Sequence, residues 1–541
     1  MRKSGGAALR ETLMSVPRAV QRTVGLVPGV RAFLRERLTI EQAEAGIREA
    51  LERRAEHFLR RVRTEVFAAP HSPYRTLFRW AGCEYGDLES SVHREGVEKT
   101  LSQLARDGVY LTSDEFKGKR PVARGTLSFR VMPEDMASRD VHFGLVTASS
   151  GTMNRPIRSL VTLGWLAQRA LVMAVFFKAH GLWDRAHAIY DGILPSGGGV
   201  NNVLIYARLG VPVERWFTRP GSVDPWVPRQ YYGLMTRAIV STVSRFGPGP
   251  VHLQPIDPAD VARIVRWIQR VHHRGQGVCI ATAASNAARI ARTAVEMGVS
   301  LAGTTFITTG EPLTEEKRKV IERAGAVPTP RYAYGGGVNI GLGCADPADV
   351  DDHHVNEYLL ALLPHPQSLL SEGPPIHPLL CTTLHPAAPR LLINVESGDY
   401  ATVSRRTCGC ALGAVGLTLH VSAVRSFEKL TSEGMNYYSL DLFGLLEKTL
   451  PGEFGGGPGD YQLVEEEDHR GQTHLTLRVA PTVGPVDERR LLSRAHEELA
   501  RGSRGNRMME DVWRRAGTLR VRREMPYATP RGKVLPLHIP R

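Results

Sequence analysis

Ile40, Ala43, Ile47, Leu51, Phe58, Val62 and Val66 recur at helical spacing and predict one long amphipathic helix with Arg and Glu outside. Thr39-Ile40-Glu41-Gln42 starts it with the spacing of a capping box. More helices are expected from Tyr74 to Asp107. Beyond them, residues 109–111 and 121–129, around the basic turn 117–120, read as strands leading to the apolar run 143–146. Residues 160–180 predict a buried helix, 200–209 another, and 211–216 a short strand. From 251 to 327, apolar runs at 252–255 and 278–281 alternate with helical patterns at 260–271, 284–297 and 315–324. Such alternation argues for a layered α/β fold. Residues 391–395 and 412–424 read as strands, and 452–459 as a glycine-rich loop. Residues 475–479, 487–500 and 519–522 read strand–helix–strand, a small α+β unit. No internal repeat is evident.

Length turns this pattern into several units, because 541 residues exceed one compact core and suggest two to four domains. Apolar residues make up 42% of the chain, yet no run approaches the ~20 residues of a membrane span. The net charge of +14 suits anionic partners such as nucleotides or CoA. No basic cluster with interleaved aromatics points to nucleic acid. Six cysteines do not make a disulfide framework, and a reducing cytoplasm is the expected location. The basic first 38 residues lack the continuous apolar stretch of a signal peptide and read as a lead-in.

Two stretches carry candidate chemistry. Thr147-Ala148-Ser149-Ser150-Gly151-Thr152-Met153-Asn154-Arg155-Pro156 follows an apolar run. Its glycine can turn successive N–H groups towards one point, and its hydroxyls add donors, as a phosphate loop requires; an ordinary polar turn is the other reading. The second stretch is Cys344, His354 and Cys408-Gly409-Cys410. Three thiols and an imidazole fit tetrahedral zinc, with His353 as an alternative to His354. Plain buried cysteines are the other reading, and Cys83, Cys279 and Cys381 are read that way. The glycines at 197–199 do not form a dinucleotide fingerprint.

The loop, then Thr309-Gly310-Glu311-Pro312-Leu313, Ser397-Gly398-Asp399-Tyr400, Arg425 and Arg531-Gly532-Lys533 follow one another over most of the chain. Their order and spacing resemble the adenylate-forming ligases, in particular the phenylacetate–CoA ligase-like branch. The resemblance implies a large α/β domain, a small mobile α+β C-terminal domain, and a site between them. It implies activation of a carboxylic acid by ATP with Mg²⁺ to an acyl adenylate, then transfer to a thiol of CoA or a carrier protein. An acyl transfer to an amine and a degenerate, non-catalytic nucleotide binder are the rivals.

Under that resemblance Ser149, Ser150, Gly151 and Thr152 hold the β- and γ-phosphates. Asp399 accepts from the ribose hydroxyls, Arg425 touches ribose or phosphate, and Lys533 bridges the carboxylate and the α-phosphate. Tyr334 and Gly335 match the family's Tyr-Gly-x-Ser-Glu, but Val338 stands where the Glu that helps hold Mg²⁺ is expected. Three readings stay open: Mg²⁺ held mainly by phosphates and water, Glu311 as the substitute acid, or impaired adenylation. Met153 likewise replaces a hydroxyl of the family's Thr-Thr-Gly-x-Pro loop. Some members of the branch carry a Cys, a His and a late Cys-x-Cys in these places, which favours a structural zinc. The expected division is a mostly helical extension over 1–108, a core domain over 109–425 and a small C-terminal domain over 426–541. Residues 195–202 and 334–338 are expected to line the acyl pocket.

Overall fold

A computed structural model describes residues 26–138, 144–148, 158–218, 229–257, 260–334, 338–368, 375–426, 431–432, 435–436, 441–467, 473–501, 514, 519–529 and 532–538. Its centre is a sheet of twelve strands. Across one half the order is Leu360–Pro364, Pro378–Thr383, Val395–Arg405, Leu419–Ser426, His353–Val355 and Val338–Gly343. These pair antiparallel. The order continues through Val327–Tyr334, Thr304–Thr309, Val278–Ala283, Ala186–Tyr190, Val213–Thr218 and His252–Pro255, which pair parallel. The chain is therefore α/β, as the alternating pattern predicts.

Parallel strands covered on both faces read as unbroken apolar runs. Val278–Ala283 is buried along its whole length, as is Ala186–Tyr190. One face, with Ile189, Ala281 and Ile307, packs on Leu163–Ala179 and Gly197–Arg208. The other, with Ala188, Ile280 and Phe306, packs on Ala262–His273, Ala284–Glu296 and Glu315–Arg323. The chain moves outward from Ala186–Tyr190 to His252–Pro255, then restarts on the other side at Val278–Ala283. That reversal opens a crevice at the carboxyl ends of the strands, where α/β folds bind ligands.

The expected long helix is two helices, Ile40–Glu52 and Arg54–Val62, broken at Arg53. The break lets them serve different cores: Ala43 and Ile47 enter the cluster around Trp165, whereas Phe58 and Val62 join Leu77, Leu360 and Val395. Buried Arg61 ties the second helix to the antiparallel half, donating to Thr383 Oγ1 at 3.2 Å and to the carbonyls of His385 and Ala388. The Thr39 capping box forms as expected.

Three strand expectations give way. Residues 412–424 divide into a short helix, Ala411–Ala414, and the strand Leu419–Ser426, because Gly416 at φ +98° turns the chain between them. Residues 109–111 contribute only the bridge Leu111–Val395, and Val395 alone of 391–395 lies in a strand. The helix expected from 160 begins after Thr162, whose hydroxyl accepts from Trp165 N, and Arg158–Val161 is a strand.

A second sheet, Leu519–Arg522, Thr473–Val479, Tyr461–Glu467 and Leu537–His538, packs on the helix Glu488–Leu499 around its own apolar cluster. The cysteines are all free thiols. No helix among the described residues is long and apolar enough to cross a membrane.

Candidate functional site

The crevice brings together residues far apart in sequence. Lys533 comes from the second sheet's side, yet its side chain lies over Gly310, at the carboxyl end of Thr304–Thr309. A Cβ on Gly310 would stand 2.5 Å from Lys533 Cε and 2.8 Å from Nζ. Gly310 also takes φ +86°, a conformation strained for any other residue. The lysine is held by a tight turn: Gly532 takes φ +81°, Thr529 N donates to the Lys533 carbonyl at 2.8 Å, and Lys533 N donates to Thr529 Oγ1 at 3.1 Å. Only 9% of Lys533 is exposed, so its ammonium is enclosed at the end of the strand. Gly310→Ala is expected to displace Lys533 and cost about 1–3 kcal/mol of stability. Thermal unfolding beside any activity the site carries checks this, with activity falling far more than stability.

Asp399 sits in Val395–Arg405 after Gly398, which takes φ +81°. Tyr332 Oη donates to Asp399 Oδ2 at 2.8 Å, and Asp399 N donates to Ser397 Oγ at 3.2 Å. Burial, then the neighbouring Asp399 charge, pushes the Tyr332 phenol well above its usual range, so it stays a neutral donor. Tyr334 Oη reaches the Glu396 carbonyl at 3.1 Å. Arg425 lies across the ladder from Tyr400 and 3.6 Å from Asp351 Oδ2. Asp351 also accepts from the backbone N–H of Ala423 at 2.7 Å and Val424 at 3.0 Å, and Ala423 takes φ +52°. This carboxylate fixes the kink that aims Arg425.

Glu311 is engaged on both oxygens. Oε1 accepts from Ser285 N and Oε2 from Ser285 Oγ, each at 2.7 Å, and Lys317 Nζ is 3.7 Å from Oε2. Lys317, only 1% exposed, also pairs with Glu447 at 2.8 Å, and Glu447 accepts from Thr314 Oγ1. Burial opposes the lysine's charge, but Glu447 and Glu311 outweigh it and hold its pKa above the usual range. The Phe443 ring lies 5.5 Å from Lys317 Nζ and 5.7 Å from the Arg425 guanidinium. The sequence reading missed Lys317, Asp351, Tyr332 and Phe443. A lysine on the buried side of an amphipathic helix was the one available signal, at Lys317.

Val338 is 7% exposed and packs with Tyr332 and Tyr334, so it supplies an apolar surface where an oxygen ligand is expected. Ser149, Ser150, Gly151, Thr152 and Gly335 lie outside the described residues. Thr147, which leads into the first four, faces Gly197: a Cβ there would stand 3.0 Å from Thr147 Cβ.

Away from the crevice, the ligand atoms of Cys344, His354, Cys408 and Cys410 all lie within 4.8 Å of one another. His354 Nε2 is 3.2 Å from Cys344 Sγ, 3.1 Å from Cys410 Sγ and 3.4 Å from Cys408 Sγ. His354 Nδ1 faces the Leu417 carbonyl at 2.7 Å, so a proton there leaves Nε2 free to ligate. The alternative, His353, faces the Val421 carbonyl and the Tyr332 ring instead. Three thiols and one imidazole converging on a point form a set able to hold a metal ion.

No family model matches the chain, and no curated protein matches its sequence. Solved structures do. ATP-bound MatB from Rhodopseudomonas palustris is 13% identical, with a TM-score of 0.37, covering 68% of this chain and 63% of that one. The A-PCP unit of McyG complexed with phenylalanyl-adenylate is 11% identical at a TM-score of 0.39, covering 72% and 64%. The fatty acid AMP ligase of Legionella pneumophila is 11% identical at 0.31, covering 67% and 63%. This chain thus spans less than two thirds of the length of each. At such identities and scores, the chemistry has to be argued from this chain's own side chains.

Proposed function

We propose that this chain activates a carboxylic acid with ATP and passes the acyl group to a thiol, of CoA or of a carrier protein. The observation that carries the reading is Lys533, enclosed against Gly310 at the mouth of the crevice. An acid carboxylate attacking the α-phosphorus is one anion attacking another. A fixed ammonium between them lowers the barrier by neutralising charge and holding both groups in line. The bond between the α-phosphorus and the oxygen leading to the β-phosphorus breaks, and pyrophosphate leaves with the electron pair. The thiolate then attacks the acyl carbon and AMP departs.

Asp399 suits the ribose hydroxyls: it is an acceptor whose orientation is fixed by Tyr332. Arg425, aimed by Asp351, is the cation for ribose or phosphate. The hydroxyls of 149–152 would hold the outer phosphates. Asp399→Asn is expected to raise KM for ATP about tenfold or more while kcat changes less, since a carboxylate acceptor is lost. Initial rates over a range of ATP concentrations check this.

Mg²⁺ is the poorly fitting member of the set. Val338 offers no oxygen, and Glu311 is already bound by Ser285 and Lys317. No step is therefore assigned to the cation. The same two observations favour a second reading, a nucleotide binder without turnover. Zinc at the cysteine–histidine cluster would be structural, joining the turn after Val338–Gly343 to the segment before Ala411–Ala414. Acid-dependent exchange of labelled pyrophosphate into ATP tests the main reading. Exchange with any acid class supports it, and silence with ATP still bound supports the second.

A further inference from the structure

Two adjacent carboxylates, Asp351 and Asp352, join the cysteine–histidine cluster to the residues assigned to the nucleotide. They are 1% and 2% exposed. Asp352 serves the cluster. Its Oδ1 faces His420 Nδ1 at 2.7 Å, and its Oδ2 accepts from Ala348 N at 2.9 Å and from Arg406 Nη2. The same Arg406 nitrogen lies 3.4 Å from Cys344 Sγ, and Cys344 N donates to the Asp352 carbonyl at 2.9 Å. Asp351 serves the other side. It accepts from Ala423 N at 2.7 Å and Val424 N at 3.0 Å, and it lies 3.6 Å from Arg425 Nη1. Cys344 and His354 bracket the segment that carries both carboxylates, so a metal held by both would close this loop at its neck. Cys408 and Cys410 lie in the connection between Val395–Arg405, which carries Asp399, and Leu419–Ser426, which carries Arg425. His353 and His354 pair with Val421 and His420 of that second strand. The His353 ring is also 6.0 Å from Tyr332, whose hydroxyl donates to Asp399. The cluster thus gathers every segment that holds Asp399 and Arg425 in place, through contiguous hydrogen-bonded and packed groups of the kind that carry coupling between sites.

We propose that the metal centre is a positioning device for the nucleotide site: an ion bound there fixes the 344–354 loop, and Asp351 carries the constraint to Arg425. The inference rests on the acid-activating reading for its assignment of Asp399 and Arg425 to ATP, but its test needs no turnover. The measurement is the dissociation constant for ATP, by equilibrium dialysis without acid or thiol, at a temperature where every form is folded. Removing zinc with a chelator, or by Cys408→Ser, should weaken ATP binding about tenfold, the scale of one lost hydrogen bond to a charged group. Zinc returned to the stripped wild type should restore it. Asp351→Asn should keep its zinc and show the same weakening, and stripping it should weaken ATP no further, because effects that run through one residue do not add. Arg425→Gln removes the far end at a partly exposed side chain, so it should also make ATP binding indifferent to zinc. It carries the comparison if Asp351→Asn does not fold. A metal that only stabilises the fold would lower Tm on removal and leave ATP affinity alone. That result, additive losses in either variant, or a chain that holds no zinc overturns the inference. Pyrophosphate exchange in the same preparations separates the two readings. Exchange beside a zinc-independent ATP affinity overturns the inference and leaves acid activation standing. A zinc-dependent ATP affinity with no exchange on any acid sustains the inference and overturns acid activation. A chain that binds no ATP overturns both.

Discussion

Lys533→Ala should lose acid-dependent ATP–pyrophosphate exchange by about 1000-fold or more, the scale seen when a fixed group that stabilises transition-state charge is removed. Its fold should survive. The lysine backbone makes the Thr529 turn, and that hydrogen bonding does not depend on the side chain. The ammonium reaches Gly310 across the join between two separately packed clusters, so truncation leaves both cores intact. ATP should still bind, because Asp399 and Arg425 are untouched. The measurement is exchange rate beside nucleotide affinity and Tm in one preparation. Unchanged exchange removes Lys533 from the chemistry. Exchange lost together with ATP binding assigns it to nucleotide affinity alone.

The purified chain should carry one zinc ion, and Cys408→Ser should release it and lower Tm on the order of 10 °C. Structural zinc contributes several kcal/mol of folding energy, and in a domain of this size each kcal/mol shifts Tm by a few degrees. The cluster joins Cys344, which follows Val338–Gly343, to His354 in His353–Val355 and to Cys408 and Cys410 ahead of Ala411–Ala414. Without a metal, three thiols and a buried imidazole face one another at the point where these segments meet. Cys83→Ser, at a thiol outside the cluster, is the control and should keep the metal. Metal analysis and thermal unfolding decide it: metal-free protein with an unchanged Tm contradicts the assignment.

Part of the parallel half was legible because some elements carry their own period, whereas Ala186–Tyr190, Thr304–Thr309 and Val327–Tyr334 were not among the expected strands. Val278–Ala283, Ala284–Glu296 and Glu315–Arg323 fall within a few residues of the expected bounds, since a buried strand and an amphipathic helix each advertise themselves locally. The antiparallel half was not. His353–Val355, Leu360–Pro364 and Pro378–Thr383 are short, two of them bounded by Pro, and their pairing is set by the strands on either side. The site divides in the same way. The cysteine–histidine cluster could be found from ligand chemistry, whereas Tyr332, Asp351 and Lys317 acquire their roles only when distant segments meet at Asp399, Arg425 and Glu311.

The central claim is that a carboxylate oxygen attacks the α-phosphorus of ATP. It is tested most directly by supplying the acid with isotopically labelled carboxyl oxygen together with ATP and a thiol, and weighing the AMP formed. The account predicts AMP carrying one labelled oxygen, because the oxygen that attacked phosphorus leaves with it when the thiol takes the acyl group. AMP or ADP formed without label, or no acid-dependent cleavage of bound ATP at all, would contradict it.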